Sequence, residues 1–156
     1  MMRIGTVGTN FVVDGFFDAI SKTENAEVVV IYSRAEETAQ TFAAKHNLAK
    51  WYTDREAFLH DPEIDVVYVA SPNSLHYQWS LDALNAGKGV ICEKPFVATH
   101  AQCETLRNLA QQKGLFLVEA ITIPSLPNFK LLHQHLDKIG PIKLVQLNFS
   151  QYSSKH

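Results

Sequence analysis

Over the first 120 residues, short runs of β-branched and apolar residues alternate with longer amphipathic stretches. Arg3 to Val7 predicts a strand. Phe11 to Ser21 predicts a helix, because Val13, Phe16, Phe17 and Ile20 recur on one face at helical spacing. Glu27 to Tyr32 is apolar without alternation, as in a strand covered on both sides. Ala35 to His46 predicts a helix with Ala39, Phe42 and Ala43 as its stripe. Ser33 and Glu36 have the spacing of a capping box at its start. A short strand at Trp51-Tyr52, a short helix at Arg55 to Leu59 and a turn at Asp61-Pro62-Glu63 follow. Asp65 to Ala70 is a second covered strand. Ser74 to Ala86 is a helix stopped by Gly87, and Gly89 to Cys92 a strand. Thr99 to Lys113 is a helix opened by a Thr99/Gln102 box and closed by Gly114, and Leu115 to Val118 is a strand.

This strand–helix alternation predicts an α/β fold, a doubly wound parallel sheet of the Rossmann type with helices on both faces, over residues 1–120. Past Ala120 the pattern changes. Ile123-Pro124-Ser125-Leu126-Pro127 interrupts regular structure, Asn128 to Lys138 predicts a helix, and Gly140-Pro141 a turn. Ile142 to Tyr152 alternates partially and predicts one long strand with no partner in the sequence. Residues 121–156 therefore read as the start of a second, incomplete α/β domain. Its unpaired strand edge predicts association with another chain, most simply a homo-oligomer.

Composition narrows the function. The chain is 46% hydrophobic and 19% charged with net charge −2, so it offers no broad basic face for a nucleic-acid backbone. No apolar run is long enough to cross a bilayer, and the N-terminus is too short in apolar residues for a signal peptide. Cys92 and Cys103 have neither metal-ligand spacing nor a disulfide pattern, so a metal is not expected and a cytoplasmic location is.

The first strand runs into Gly5-Thr6-Val7-Gly8-Thr9-Asn10-Phe11. A dinucleotide site needs a tight turn here, so that helix N-terminal amides can meet a pyrophosphate. Aligned from Gly8, the three glycine positions of the usual fingerprint are Gly8, Asn10 and Val13. Asn tolerates left-handed backbone, which would preserve the turn. A plain strand–helix turn is the competing reading. At the end of the second strand, Tyr32-Ser33-Arg34 stands where NAD sites commonly place an acid. Arg34 can pair with a 2′-phosphate and stack on adenine while Ser33 donates a hydrogen bond, which favours NADP over NAD. Alternatively, Ser33 only caps its helix and Arg34 is solvated.

Two later segments are more specific: Ser71-Pro72-Asn73-Ser74-Leu75-His76 after the fourth strand, and Ala86-Gly87-Lys88-Gly89-Val90-Ile91-Cys92-Glu93-Lys94-Pro95 around the fifth. With the N-terminal loop, in this order and spacing, they resemble the glucose–fructose oxidoreductase / inositol dehydrogenase (Gfo/Idh/MocA) family. The resemblance runs from Arg3 to about Tyr152. Glu119-Ala120 is similar to the branch that contains dihydrodiol and xylose dehydrogenases. The resemblance implies an N-terminal Rossmann domain and a C-terminal domain whose open sheet commonly forms oligomers. It implies hydride transfer between NAD(P) and a sugar, cyclitol or related alcohol. It places Lys94 beside the reacting carbon, with Glu93 and Pro95 shaping the loop near the nicotinamide, and Pro72, Asn73 and His76 beside the cofactor, next to Ser71.

The sequence departs from the family at Asn10, a glycine in most members. Members are also considerably longer and carry a downstream Asp-x-x-x-His motif, so the expectation is a fragment, a truncated product or a chain completed by another. The chemistry centres on Lys94. A cation stabilises charge developing on the alcohol oxygen as hydride leaves carbon, and burial lowers a lysine pKa towards neutrality. For His76, cofactor contact and simple surface exposure stand as alternatives. His133 and His135 point to different helix faces and do not form a metal pair. Cys92, Trp51 and Trp79 read as core. Glu119 faces the cleft or makes a structural hydrogen bond. The competing function is a dinucleotide-binding module without its own catalysis.

Overall fold

Residues 1–148 and 150 are described by the computed structural model. They divide into two units, Met1–Ile121 and Thr122–His156. The first unit contains β1 (Met2–Val7), α1 (Phe11–Ile20), β2 (Ala26–Tyr32), α2 (Glu36–Lys45), β3 (Trp51–Tyr52) and α3 (Arg55–Leu59). Then come β4 (Val66–Val69), α4 (His76–Asn85), β5 (Gly89–Cys92), α5 (His100–Lys113) and β6 (Leu117–Glu119). All pairings are parallel, in the order β3-β2-β1-β4-β5-β6. The order reverses between β1 and β4, so a crevice opens above the carboxyl ends of these two strands.

Strand β4 shows why the run had to be apolar throughout. Val67 and Val69 enter one core with Phe58, Trp79, Leu84 and Leu106, from α3, α4 and α5. Val66 and Tyr68 enter the other with Val13 and Phe42, from α1 and α2. Successive side chains point to opposite faces, so a central parallel strand needs apolar residues at every position. The expected stripes hold: Val13 is buried, with Phe16, Phe17 and Ile20 packed against the same core, and Ala39, Phe42 and Ala43 are buried on α2.

Helix ends follow the punctuation in most places. Gly87 and Gly114 adopt positive φ at the ends of α4 and α5. Thr99 Oγ1 accepts from the Gln102 amide at 3.3 Å, and the Gln102 side chain accepts from the Ala98 amide at 3.1 Å. The box expected at Ser33 and Glu36 does not form. The N-cap of α2 is Ala35, with no side-chain bond, and Glu36 instead accepts from Gln40 at 3.2 Å. An i,i+4 partner on its own helix satisfies Glu36, leaving Ser33 free. The helix expected from Ser74 begins as a 3₁₀ turn, Asn73–Leu75, before α4.

In the second unit, α6 (Pro127–Gln134) precedes a 3₁₀ segment, Leu136–Ile139, and Gly140 at φ 70°. The long strand expected at Ile142 to Tyr152 is not present over residues 142–148, which pair with no strand among the described residues. A strand is held by its ladder, and no partner is supplied here. Phe149 and residues 151–152 of that expectation lie outside the described residues.

The sheet's lower end is tied by an ion pair. Arg3 donates to Asp65 from Nη2 at 2.7 Å, from Nε at 3.1 Å and from its amide at 2.9 Å, joining the start of β1 to the residue before β4. These hydrogen bonds hold the Asp65 carboxyl down to about 2, against an ordinary 3.8. A carboxyl depressed in the folded state stabilises above the unfolded pKa and loses that contribution as pH falls through the folded one. Urea midpoints should therefore decline between about pH 4 and pH 2, and Asp65→Asn should flatten that decline. An unchanged slope in the variant would exclude Asp65 as a source of the acid sensitivity.

Candidate dinucleotide site

The crevice is built at the point where β1 ends. Gly8 sits at φ 113°, and a Cβ there would lie 2.7 Å from the Ala70 carbonyl oxygen. Only glycine fits this turn, on both backbone and space. The Gly8 amide donates to Tyr32 O at 3.1 Å and the Ala70 amide to Val7 O at 3.0 Å, so the ends of β1, β2 and β4 are fastened together.

Asn10 does not use the left-handed backbone anticipated for it; its φ is −88° and its ψ 173°. It is instead the N-cap of α1. Oδ1 accepts from the amides of Val12 at 2.9 Å and Val13 at 3.3 Å, while Nδ2 donates to Ala70 O at 2.9 Å. A glycine could make neither contact. Because the cap takes the second and third helical amides, the free donors at this terminus are those of Thr9, Asn10 and Phe11, which have no acceptor among the described residues. They lie at the positive end of the helix dipole.

A cleft of about 350 Å³ opens in front of this turn. Gly8, Thr9, Asn10, Ser33, Arg34, Ser71 and Pro72 line it, from three separate loops. Val7, Tyr32, Ala70, Leu75, Trp79 and Arg55 complete it, and the sequence reading did not select these. Arg34 makes no ion pair among the described residues, and the Ser33 amide donates to Tyr52 O at 3.1 Å. Trp79 is core, as expected, but its ring also forms part of the cleft wall.

The other expected residues lie beyond this cleft. Phe11 is exposed and contributes only its amide, and Asn73 opens the 3₁₀ turn. His76 is neither at the surface nor on the cleft. Its ring is 1% exposed and lies between two backbone oxygens, Pro95 O at 2.8 Å from Nδ1 and Ser71 O at 2.9 Å from Nε2. It thereby sits between the loop after β4 and the loop after β5, with a ring N–H to donate to one of the two oxygens. A pattern of apolar spacing carries no signal for such a side chain.

Lys94 follows β5 at the carboxyl end of the sheet and is exposed, not buried as the expected pKa argument required. Glu93 does not pair with its amine. One Glu93 oxygen accepts from the Tyr68 hydroxyl at 2.7 Å and the other from the Lys94 amide at 3.2 Å. Tyr68 is 1% exposed; burial and the facing carboxylate raise its pKa far above the usual phenol range, so the hydroxyl stays a donor. Glu119 accepts from the Phe96 amide at 3.0 Å, the structural role of the two foreseen. Cys92 is enclosed, and burial lifts its thiol to about 12, which removes it as a nucleophile.

The family model described as an oxidoreductase family with an NAD-binding Rossmann fold matches residues 2–120. The chain belongs to the Gfo/Idh/MocA oxidoreductase family. It is 38% identical over its whole length to the scyllo-inositol 2-dehydrogenase (NADP(+)) of Bacillus subtilis, covering 48% of that protein. It is 31% identical to the trans-1,2-dihydrobenzene-1,2-diol dehydrogenase of Sus scrofa, over 96% of this chain and 46% of the other. A 3-ketoreductase from Actinomadura kijaniata, crystallised with NADP and TDP-benzene, superposes with a TM-score of 0.83 at 30% identity, over 88% of this chain and 42% of that one. The chain thus spans about half the length of the curated relatives it matches.

Asn10 is the side chain on which the loop's geometry turns. Asn10→Ala removes both cap bonds and the tether to Ala70. It should lower stability by about 1–2 kcal/mol in urea unfolding, the upper part of the range for a lost N-cap. A cost below about 0.3 kcal/mol would show that the cap contributes little here.

Proposed function

We propose that this chain is the cofactor-binding portion of an NADP-dependent oxidoreductase that acts on a sugar, cyclitol or related alcohol or carbonyl compound, with Lys94 at the reacting centre. The observation that carries the reading is the pairing of Glu93 with Tyr68, which leaves the Lys94 amine without an ion-pair partner among the described residues, at the carboxyl end of the parallel sheet. Ligands in open α/β folds bind at that end.

The residues present fit a dinucleotide. The cleft holds free amides at the start of α1, two guanidinium groups and no carboxylate among its lining residues, as an anionic ligand requires. Thr9, Asn10 and Phe11 would meet the pyrophosphate with their amides, beside the Gly8 turn. Ser33 and Arg34 would hold the 2′-phosphate, and Ser71, Pro72 and Asn73 would follow the cofactor towards the nicotinamide. When bound, the dinucleotide accepts or supplies the hydride. Lys94 orients the substrate oxygen and stabilises the negative charge that develops on it. Glu93 and Pro95 set the loop that aims Lys94, and His76 holds that loop from behind, a positioning role in place of the cofactor contact first considered. The relatives named for inositol and dihydrodiol substrates support the alcohol class. The exposed apolar side chains of Ile142, Leu144, Val145 and Leu147 support association with further protein, including a second copy.

A second reading, a dinucleotide-binding module without its own catalysis, is favoured by one observation: Lys94 lies outside the lined cleft and is exposed. Turnover by the chain with NADP and a panel of polyols separates the two.

Arg34→Ala should remove most of the preference for NADP over NAD, about 1–3 kcal/mol for a charge-assisted contact, by calorimetric titration. Equal affinities in the unmodified chain would remove Arg34 from the role. Lys94→Met keeps the apolar stem and removes the cation. NADP affinity should be unchanged, whereas turnover, measured where the substrate-binding half is present, should fall roughly 10²–10³-fold. Normal turnover would refute the assignment, and loss of folding would make Lys94 structural.

A further inference from the structure

Arg55 is a charged residue of the cleft that the roles above do not use. It opens α3, where Asp54 caps the helix by accepting from the Ala57 amide at 2.7 Å. Its guanidinium lies flat on the Trp79 ring, 4.1 Å from the centroid, and its edge forms an ion pair with Asp82 on α4. Asp82 is held in turn by Gln78, which donates at 2.8 Å. Nε and Nη2 are enclosed without an aligned hydrogen-bond acceptor, and Arg55 is among the residues that line the cleft.

Arg55 and Arg34 enter this cleft from neighbouring strands. Tyr32 and Tyr52 are register partners at the ends of β2 and β3, and the Ser33 amide is bonded to Tyr52 O. The segments that carry the two arginines, the loop after β2 and the start of α3, therefore follow neighbouring strand ends. Two guanidinium groups share one cleft whose lining residues include no acid. Adenine can occupy one guanidinium by stacking, whereas a dianionic phosphate ester can engage two.

We propose that Arg55 is a second specificity residue for the 2′-phosphate of the dinucleotide, fixed in place by Trp79 and with its strength set by Asp82. The proposal rests on the NADP reading above. Trp79 removes the rotamer freedom that an arginine would otherwise lose on binding, and Asp82 offsets part of the charge, so the preference is moderated as well as created.

The test is calorimetric titration of the chain with adenosine 2′,5′-bisphosphate and with AMP, which differ only in the 2′-phosphate and need no catalysis. The unmodified chain should prefer the bisphosphate. Arg55→Met should reduce that ratio roughly tenfold, as expected for one hydrogen bond to a charged group. Asp82→Asn, which frees the guanidinium, should raise the ratio several-fold, a gain that damage to the fold does not imitate. An equal loss for both ligands in Arg55→Met would make Arg55 only a wall of the adenosine site and overturn the proposal. An unchanged ratio there, or a lowered ratio in Asp82→Asn, would overturn it too. If Arg55→Met does not fold, the Asp82→Asn result decides. No preference in the unmodified chain would sink the NADP reading itself, a different outcome from a preference that Arg55→Met leaves intact.

Discussion

The close approach of the Ala70 carbonyl to Gly8 is the constraint on which the site depends. The backbone at the end of β1 can lie against the end of β4 only because position 8 has no side chain, a Cβ there falling 2.7 Å from the oxygen. That oxygen then accepts from Asn10 Nδ2, so one carbonyl positions both the turn and the residue that caps α1. The start of α1, with its free amides, is therefore placed by contacts with a strand sixty residues later in the chain. Alanine at position 8 would need both an unfavourable backbone and a displaced neighbour, so the turn and the β1–β4 junction stand or fall together.

The cleft at this junction and the loop after β5, which lies beyond it, are held by different physics. The cleft is lined from β2, α3, α4 and the turns after β1 and β4, with Trp79, 4% exposed, among its lining residues. Its shape is set by the core, because Tyr32 and Phe58 each pack edge to face with Trp79, with Tyr32 and Trp79 ring centres 4.7 Å apart. The loop that carries Lys94 is held by polar contacts. His76 sits within hydrogen-bond distance of Pro95 O and Ser71 O, Glu119 fastens Phe96, and Tyr68 fastens Glu93. Each bond is to a loop atom, and none uses the Lys94 amine.

Much of this was legible in the sequence, for identifiable reasons. Covered strands announce themselves by unbroken apolar runs, and glycines at 87 and 114 mark helix ends because they adopt left-handed backbone there. The parallel pairing in a doubly wound sheet followed from alternation alone, whereas the strand order is read from the structure. The errors are equally physical. Ser33 and Glu36 have capping-box spacing, but Gln40 competes for Glu36. Asn10 was recognised as important through the wrong property, its backbone tolerance, when its side-chain hydrogen bonds are what matter. His76 and Arg55 depend on partners 19 and 24 to 27 residues away (Pro95, Trp79 and Asp82), so no local pattern could reveal them. A basic residue just past the strand beside Ser33-Arg34 was the one available hint for Arg55.

The Glu93–Tyr68 pair links the loop after β5 to α1. Phe16 of α1 stacks on Tyr68 at 3.8 Å between ring centres, and the Tyr68 hydroxyl reaches Glu93 at 2.7 Å. The helix whose first amides face the cleft is thus in contact, through one aromatic ring, with the residue that precedes Lys94. Tyr68 can serve this way because it lies on a strand covered on both faces, with its ring in the α1–α2 core and its hydroxyl at the carboxyl end of the sheet. A phenylalanine there would keep the stack and lose the donor. Glu93 would then hold an unpaired oxygen beside an exposed ammonium and would be drawn to Lys94 by charge alone. The tyrosine hydroxyl, rather than distance along the chain, keeps neighbouring acid and base apart and leaves the Lys94 amine available.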